Sequence, residues 1–179
     1  YAEGSGYAGD DYIADTKVNR DERWQLFMMA PGQAKAVENI ATIEYFPEVP
    51  QLYKADSKNA TSTGYIVGKG HSMDYNDQLM GRDQTAFVVY RAAEAYLNYL
   101  EASYVLNGTI DAKADSYWKA LRKRAGVDQD YTKTIAATDM AKEAENDWGA
   151  YSHGQLVDKT LYNIRRERRC EFVGEGFRK

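Results

Sequence analysis

The stretch that most constrains the fold is Arg82 to Gly108, RDQTAFVVYRAAEAYLNYLEASYVLNG, with DAKADSYWKALRKRAGVD close behind it. Ala86, Tyr90, Ala93, Leu97, Leu100 and Tyr104 recur at alternating steps of four and three, the spacing of one face of an α-helix and not of a strand. The pattern predicts a helix from a cap at Asp83 to Asn107, with Gly108 taking the left-handed conformation that closes a last turn. Asp111 is set to cap a second helix whose apolar stripe is Ala114, Tyr117, Trp118, Leu121 and Ala125. Lys119, Arg122, Lys123 and Arg124 crowd its C-terminal end, where positive charge complements the helix dipole, and Gly126 ends it. Two such helices joined by a short turn make a hairpin packed large on small, much like one tetratricopeptide unit.

The remaining segments are shorter. Up to Asn19 the chain is Gly-rich and acidic and is expected to be irregular. Trp24, Leu26, Phe27, Met28 and Met29 form an apolar burst ended by Pro31-Gly32, read as a short buried strand or helical turn. Ile40, Thr42, Glu44 and Phe46 alternate as in a strand, which Pro47 and Pro50 make an edge or loop segment. ADSKNATSTG reads as an exposed loop, in which Asn59-Ala60-Thr61 fits the glycosylation pattern only formally. Tyr65, Ile66 and Val67 form a brief extended piece. After the hairpin, Thr138 or Asp139 caps a short helix through Met140, Lys142 and Glu143, followed by a loop from Asp147 to Tyr151. Asp158 caps a last helix with Leu161, Ile164, Arg168 and Phe172 on one side, stopped by Gly174 and Gly176. The chain thus divides into an irregular, loop-rich portion, residues 1–82, and a helical portion, residues 83–179.

Charge and chemistry narrow the function. The formal net charge of -4 argues against a polyanion-binding surface spread over the molecule. Arg165, Arg166, Arg168 and Arg169 resemble a phosphate-binding cluster, but Glu167, Glu171 and Glu175 interleave with them, so the set reads as an ion network, with Arg168 near Glu171. One of these arginines is expected to reach Glu94 or Glu101 on the first helix. Cys170 is the single cysteine, so neither an internal disulfide nor a thiolate zinc site is expected. His71 and His153 lack a second ligand at helical spacing, and Asp74, Asn76 and Asp77 lack the spacing of a calcium loop. No cofactor or metal is expected. No nucleophile elbow, phosphate loop or metal-hydrolase helix is present, so binding is favoured over catalysis, with a glycosidase-type carboxylate pair left open. No run approaches a membrane-spanning length. The expectation from Tyr1, which is neither an initiator Met nor part of an apolar leader, is a processed or partial piece of something larger.

Three segments together carry a resemblance. YRAAEAYLNYLEASYVLNG, then WKALRKRAGV, then YNIRRERRCEFVGEGFR resemble the C-terminal signature of the RagB/SusD family of surface nutrient-binding lipoproteins. Arg91, Ala93, Glu94, Tyr96 and Leu97 match its first element, and Arg122, Arg124, Ala125 and Gly126 its second. Ile164, Glu167, Arg168, Arg169, Glu171, Glu175, Gly176 and Arg178 match its third. Asp21-Glu22-Arg23 and Thr63-Gly64-Tyr65 with Lys69 match upstream elements. Trp118 and Lys119 depart from the pattern. The later half of the family's pattern is the part represented, so an N-terminal half of helical repeats with its lipid-bearing Cys is expected to lie outside these residues.

The resemblance implies a mainly α, tetratricopeptide-like fold: the helical hairpin, a further packed helix and long irregular segments in the N-terminal part. It implies a surface-exposed lipoprotein of a Bacteroidota-type outer membrane, joined to the membrane only by its N-terminal lipid. Such proteins cap a SusC-like TonB-dependent transporter and bind an oligosaccharide or, in some members, a peptide without catalysis. A helical-repeat scaffold for protein partners, with no sugar role, is the reading from another class. The matching motifs are scaffold, so ligand contacts are expected from aromatics in irregular stretches: Trp24, Tyr45, Tyr53, Tyr75, Trp148 and Tyr151. An aromatic face stacks on a sugar's apolar face while nearby polar groups take its hydroxyls. For Trp148 and Tyr151 the competing reading is a packing plug.

Overall fold

The computed structural model describes residues 6–9, 11–39, 42–46, 65–82, 84 and 88–176. The expectations that fall on Ile40, Pro47, Pro50, Tyr53, Asn59 to Thr61, Asp83 and Ala86 lie outside the described residues. The chain divides into two compact units, Tyr1–Phe87 and Val88–Lys179, and its described elements are mainly helical.

The first unit is built from short pieces. Helix α1 (Ile13–Lys17) occupies ground expected to be irregular, and α2 (Glu22–Phe27) follows it. The carboxylate of Asp21 accepts a hydrogen bond from the Trp24 amide, which fixes where α2 starts. The apolar burst therefore splits, its first part in α2 and its last part in strand β1 (Met28–Met29). Met28 is buried, whereas Leu26 is exposed. β1 pairs antiparallel with β4 (Ile66–Val67), and β2 (Ala34–Asn39) pairs antiparallel with β3 (Thr42–Tyr45), Val37 opposite Ile43. Gly68 follows β4 where a Cβ would lie 1.6 Å from the Met29 methyl, so a side chain there would require the Met29 side chain to move. The buried Lys17 amine donates to the Met28 carbonyl at 3.0 Å and to Gln33 Oε1 at 3.3 Å.

The second unit holds the hairpin. Helix α3 runs Ala92–Asn107 and α4 runs Ala112–Arg124. Gly108 between them has φ +69°, and Asp111 accepts the Ala114 amide at 2.8 Å. The expectation of one unbroken helix through residues 88–91 is corrected by this structure. Residues 88–90 are outside any helix and exposed, Tyr90 among them, and Arg91 is extended. Two β-branched valines disfavour helix there. Arg91 is also drawn across to the end of the last helix, donating from Nε and Nη2 to the two oxygens of Glu175 at 2.9 and 2.6 Å and from Nη1 to Glu171.

Helices α5 (Tyr131–Ala137) and α6 (Met140–Asn146) are followed by a single 3₁₀ turn at Trp148–Ala150. The short hairpin β5 (Tyr151–Ser152) and β6 (Gln155–Leu156) then leads into α7 (Lys159–Glu171). Asp139 and Asp158 cap α6 and α7 as the sequence predicts. The core joins Ala93, Leu97 and Leu100 of α3 to Ala114, Trp118 and Leu121 of α4, with Tyr131, Ile164 and Phe172 closing it. Trp118 and Tyr131 stack with centroids 4.1 Å apart. Thus α7 is the further helix packed on the hairpin, and the tetratricopeptide-like expectation holds.

Polar links fasten α7. Arg165 reaches Glu101 of α3 at 2.9 Å, the partnership expected for one of these arginines. Arg168, however, donates to Asn98 of α3 at 2.7 Å, and Glu171 takes Arg91 and Arg124. The in-helix pairing of Arg168 with Glu171 is replaced because Glu171 faces the core, where these arginines reach it. Glu167 is buried and accepts from Trp118 Nε1 at 3.1 Å and from Arg122 Nη1 at 3.2 Å.

Candidate functional site

Trp148 stands 91 % exposed at the start of its 3₁₀ turn, so it is not packed into a core of the described residues. Its backbone is nevertheless held firmly. Oδ1 of Asp147 accepts from the Gly149 amide at 2.7 Å, while Oδ2 lies 2.8 Å from the Tyr162 hydroxyl and 2.5 Å from Arg169 Nη2. The Arg169 guanidinium, with the Tyr162 and Gly149 donors, lowers the Asp147 carboxyl to about 2, as expected for a carboxylate accepting several bonds. Space at Gly149 is tight: a Cβ there would meet Asp147 Oδ1 at 2.9 Å and Arg169 Nη1 at 3.1 Å, so it would press on the pair that holds the turn. Ala150 behind it is fully buried. An exposed indole therefore rides on a turn pinned to α7.

Tyr151 is also exposed and faces Leu156 across the β5–β6 pair. His153 and Gly154 at its tip both have positive φ, +50° and +75°, the geometry of a tight two-residue hairpin turn. Trp148, Tyr151 and Leu156 make a run of exposed apolar side chains in one short segment.

On the other side of Asp147 the Tyr162 hydroxyl also lies 2.8 Å from Glu143 Oε2. Burial first, then these two carboxylates, push the Tyr162 phenol up to about 12. Glu143 in turn accepts from Arg166 at 3.1 Å and lines an open cleft of about 420 Å³ with Lys133, Thr134, Ala137, Thr138 and Arg166. The sequence reading missed this cleft because it missed α5. The available signal was Asp130, which caps α5 through the Thr132 amide, ahead of Tyr131 and Ile135 four residues apart.

In the first unit Tyr45 is exposed at the end of β3, opposite Ala34, and Trp24 lies at the edge of exposure on α2. Tyr75 is half-buried where a 3₁₀ turn, Asn76–Gln78, begins. Tyr53 is outside the described residues. The calcium-like Asp74, Asn76 and Asp77 are engaged locally: Asp74 Oδ1 accepts from the Asn76 amide, and Asp77 accepts from Ser72 at 2.7 Å. His71 Nε2 lies 2.6 Å from the Lys35 carbonyl. Among the described residues no group of three or more His, Cys, Asp or Glu is arranged to hold a metal ion, and no helix is long and apolar enough to cross a membrane.

The hairpin, the helix laid on it and the polar links between them define a mainly α, tetratricopeptide-like protein. A family model described as the SusD family matches residues 2–179, and the chain belongs to that family. The family is one of nutrient-binding accessory proteins associated with the outer membrane and its transporters, generally non-catalytic, with glycan or peptide ligands. No curated protein and no solved structure gave a significant match.

Proposed function

We propose that this chain binds an oligosaccharide without transforming it and caps a SusC-like, TonB-dependent transporter that imports the sugar. In this reading it is a surface-exposed lipoprotein held at the outer membrane by an N-terminal lipid. The observation that carries the reading is Trp148, whose indole is 91 % exposed on a turn fixed by Asp147 and Arg169. An indole left in water forgoes apolar burial that a sugar's C–H face would supply. Fixing the turn beforehand lowers the ordering entropy that binding must overcome. Tyr151, three residues on, is a second aromatic contact in this reading; Trp24, Tyr45, Tyr53 and Tyr75 are proposed separately as aromatic contacts of the first unit.

The test is titration with a panel of soluble polysaccharides and peptides, read by Trp fluorescence and calorimetry. Saturable glycan binding, weakened about tenfold in Trp148→Ala with an unchanged melting temperature, is the expected outcome. Saturable peptide binding with no glycan response moves the chain to the peptide branch of the family. Sugar release on prolonged incubation refutes the non-catalytic reading.

A further inference from the structure

We propose that the cleft between α5, α6 and α7 is a separate sugar subsite that takes an uncharged, hydroxyl-rich unit; this rests on the glycan reading above. It is a shallow, open surface cleft of about 420 Å³. Its charges are already matched. Lys133 pairs with Asp128 at 2.7 Å and reaches Asp130 at 3.8 Å, and Arg166 pairs with Glu143 at 3.1 Å. Three carboxylates thus face two cations, so the cleft offers no excess positive field to a uronate or sulfate. It does retain hydrogen-bonding capacity of both kinds. Arg166 has guanidinium N–H groups beyond the two given to Glu143 and Asn163, and Lys133 has one ammonium proton beyond those facing Asp128 and Asp130. The Thr134 hydroxyl accepts from Arg122 Nη2 at 3.3 Å and keeps its own proton to give. Glu143 holds lone pairs beyond those facing Arg166 and Tyr162. Donors and acceptors side by side suit a hydroxyl, which does both, and the exposed methyl of Ala137 offers a small apolar floor.

The cleft is also tied to the Trp148 turn. Glu143 on its wall and Asp147 beside Trp148 lie on either side of one Tyr162 hydroxyl, 2.8 Å from each. The polar links that shape the cleft and those that hold the Trp148 turn are thus continuous through Tyr162.

The experiment compares neutral polysaccharides (laminarin, xyloglucan, mannan) with uronate- or sulfate-bearing ones (pectin, alginate, carrageenan) by calorimetry at low and high NaCl. The chain is tested alongside Ala137→Trp, which fills the cleft from an exposed helix position. The expected result is neutral-glycan binding insensitive to salt, weakened about tenfold by Ala137→Trp with melting and circular dichroism unchanged. Neutral binding lost in Trp148→Ala but untouched by Ala137→Trp overturns the subsite and leaves the glycan reading standing. Preference for the acidic polymers, collapsing in salt, overturns the uncharged class alone. Absence of binding to every glycan overturns both readings together.

Discussion

Replacing Glu167 by Ala tests how the third helix is held to the hairpin. The side chains of Glu167 and Arg122 are 5 % and 11 % exposed, and the carboxylate also takes the Trp118 indole N–H. Removing one partner of a buried pair costs about 3–5 kcal/mol, mostly because a charge is left behind without its counterpart. Arg122 keeps bonds to the Asp128 carbonyl and Thr134, which places Glu167→Ala near the lower bound, about 3 kcal/mol. If Val88–Lys179 melts as its own cooperative unit, a loss of that size lowers its melting temperature by about 12 °C or more, at roughly 4–8 °C per kcal/mol for a unit of this length. Calorimetric melting with urea unfolding reads both quantities. Burying apolar groups in place of an ion pair is often neutral, so Glu167→Leu with Arg122→Met should recover about 2 kcal/mol of the loss. A Glu167→Ala protein melting within about 2 °C of the parent would refute the buried-pair argument, as would a double variant no more stable than the single one.

Arg165 and Arg168 should separate. Arg165→Ala breaks a partly buried pair with Glu101 and is expected to lose about 1 kcal/mol, whereas Arg168→Ala loses an exposed bond to Asn98 and stays within about 0.5 kcal/mol, both read by urea unfolding. Gly149→Ala presses a Cβ against Asp147 and Arg169 and should lower stability by about 1–2 kcal/mol in the same assay. The Asp147 carboxyl is depressed to about 2 by Arg169, so it favours the folded state above the ordinary carboxylate range, and that contribution disappears as pH falls from about 4 through about 2. Stability followed across that window should be flatter in Arg169→Met; equal slopes would remove the pair from the account.

The hairpin was legible because its apolar stripes, its Gly108 turn and its Asp111 cap agree with one another. The start of α3 was not, since Tyr90 continues the four-three spacing while Arg91 is needed outside the helix to grip Glu171 and Glu175. That demand is set by α7, about eighty residues on, and no local pattern states it. The partnership of Arg165 with Glu101 was foreseeable from charge on two helices that must pack. The partners of Glu171 were not, because interleaved signs on one helix look alike whether they pair within it or across it. Helix α5 was lost to its shortness, and the cleft was lost with it. Exposure of Trp148 lay beyond the sequence altogether: Trp-Gly serves a plug or a platform equally, and the exposure follows from Asp147 turning inward to Tyr162 and Arg169 while Trp148 stays in water.

The residues that carry the family resemblance engage one another. Arg91 and Arg124 meet on Glu171, Arg91 also takes Glu175, and Arg122 holds Glu167. Of the four arginines that resemble a phosphate-binding cluster, Arg165 pairs with Glu101 of α3, Arg166 with Glu143 of α6 and Arg169 with Asp147, while Arg168 donates to the neutral Asn98. The same pairing explains why the signature says little about the ligand. Recognition is proposed for the segments between signature elements, and the stretch from Asp128 to Asp158 is one of them. It contributes α5, α6, the Trp148 turn and the β5–β6 hairpin, and it is fastened to the signature through Tyr162, Arg166 and Arg169 on the outer turns of α7. One helix therefore serves both ends: its buried carboxylates hold the scaffold, and its remaining arginines and tyrosine hold the surface on which recognition is proposed.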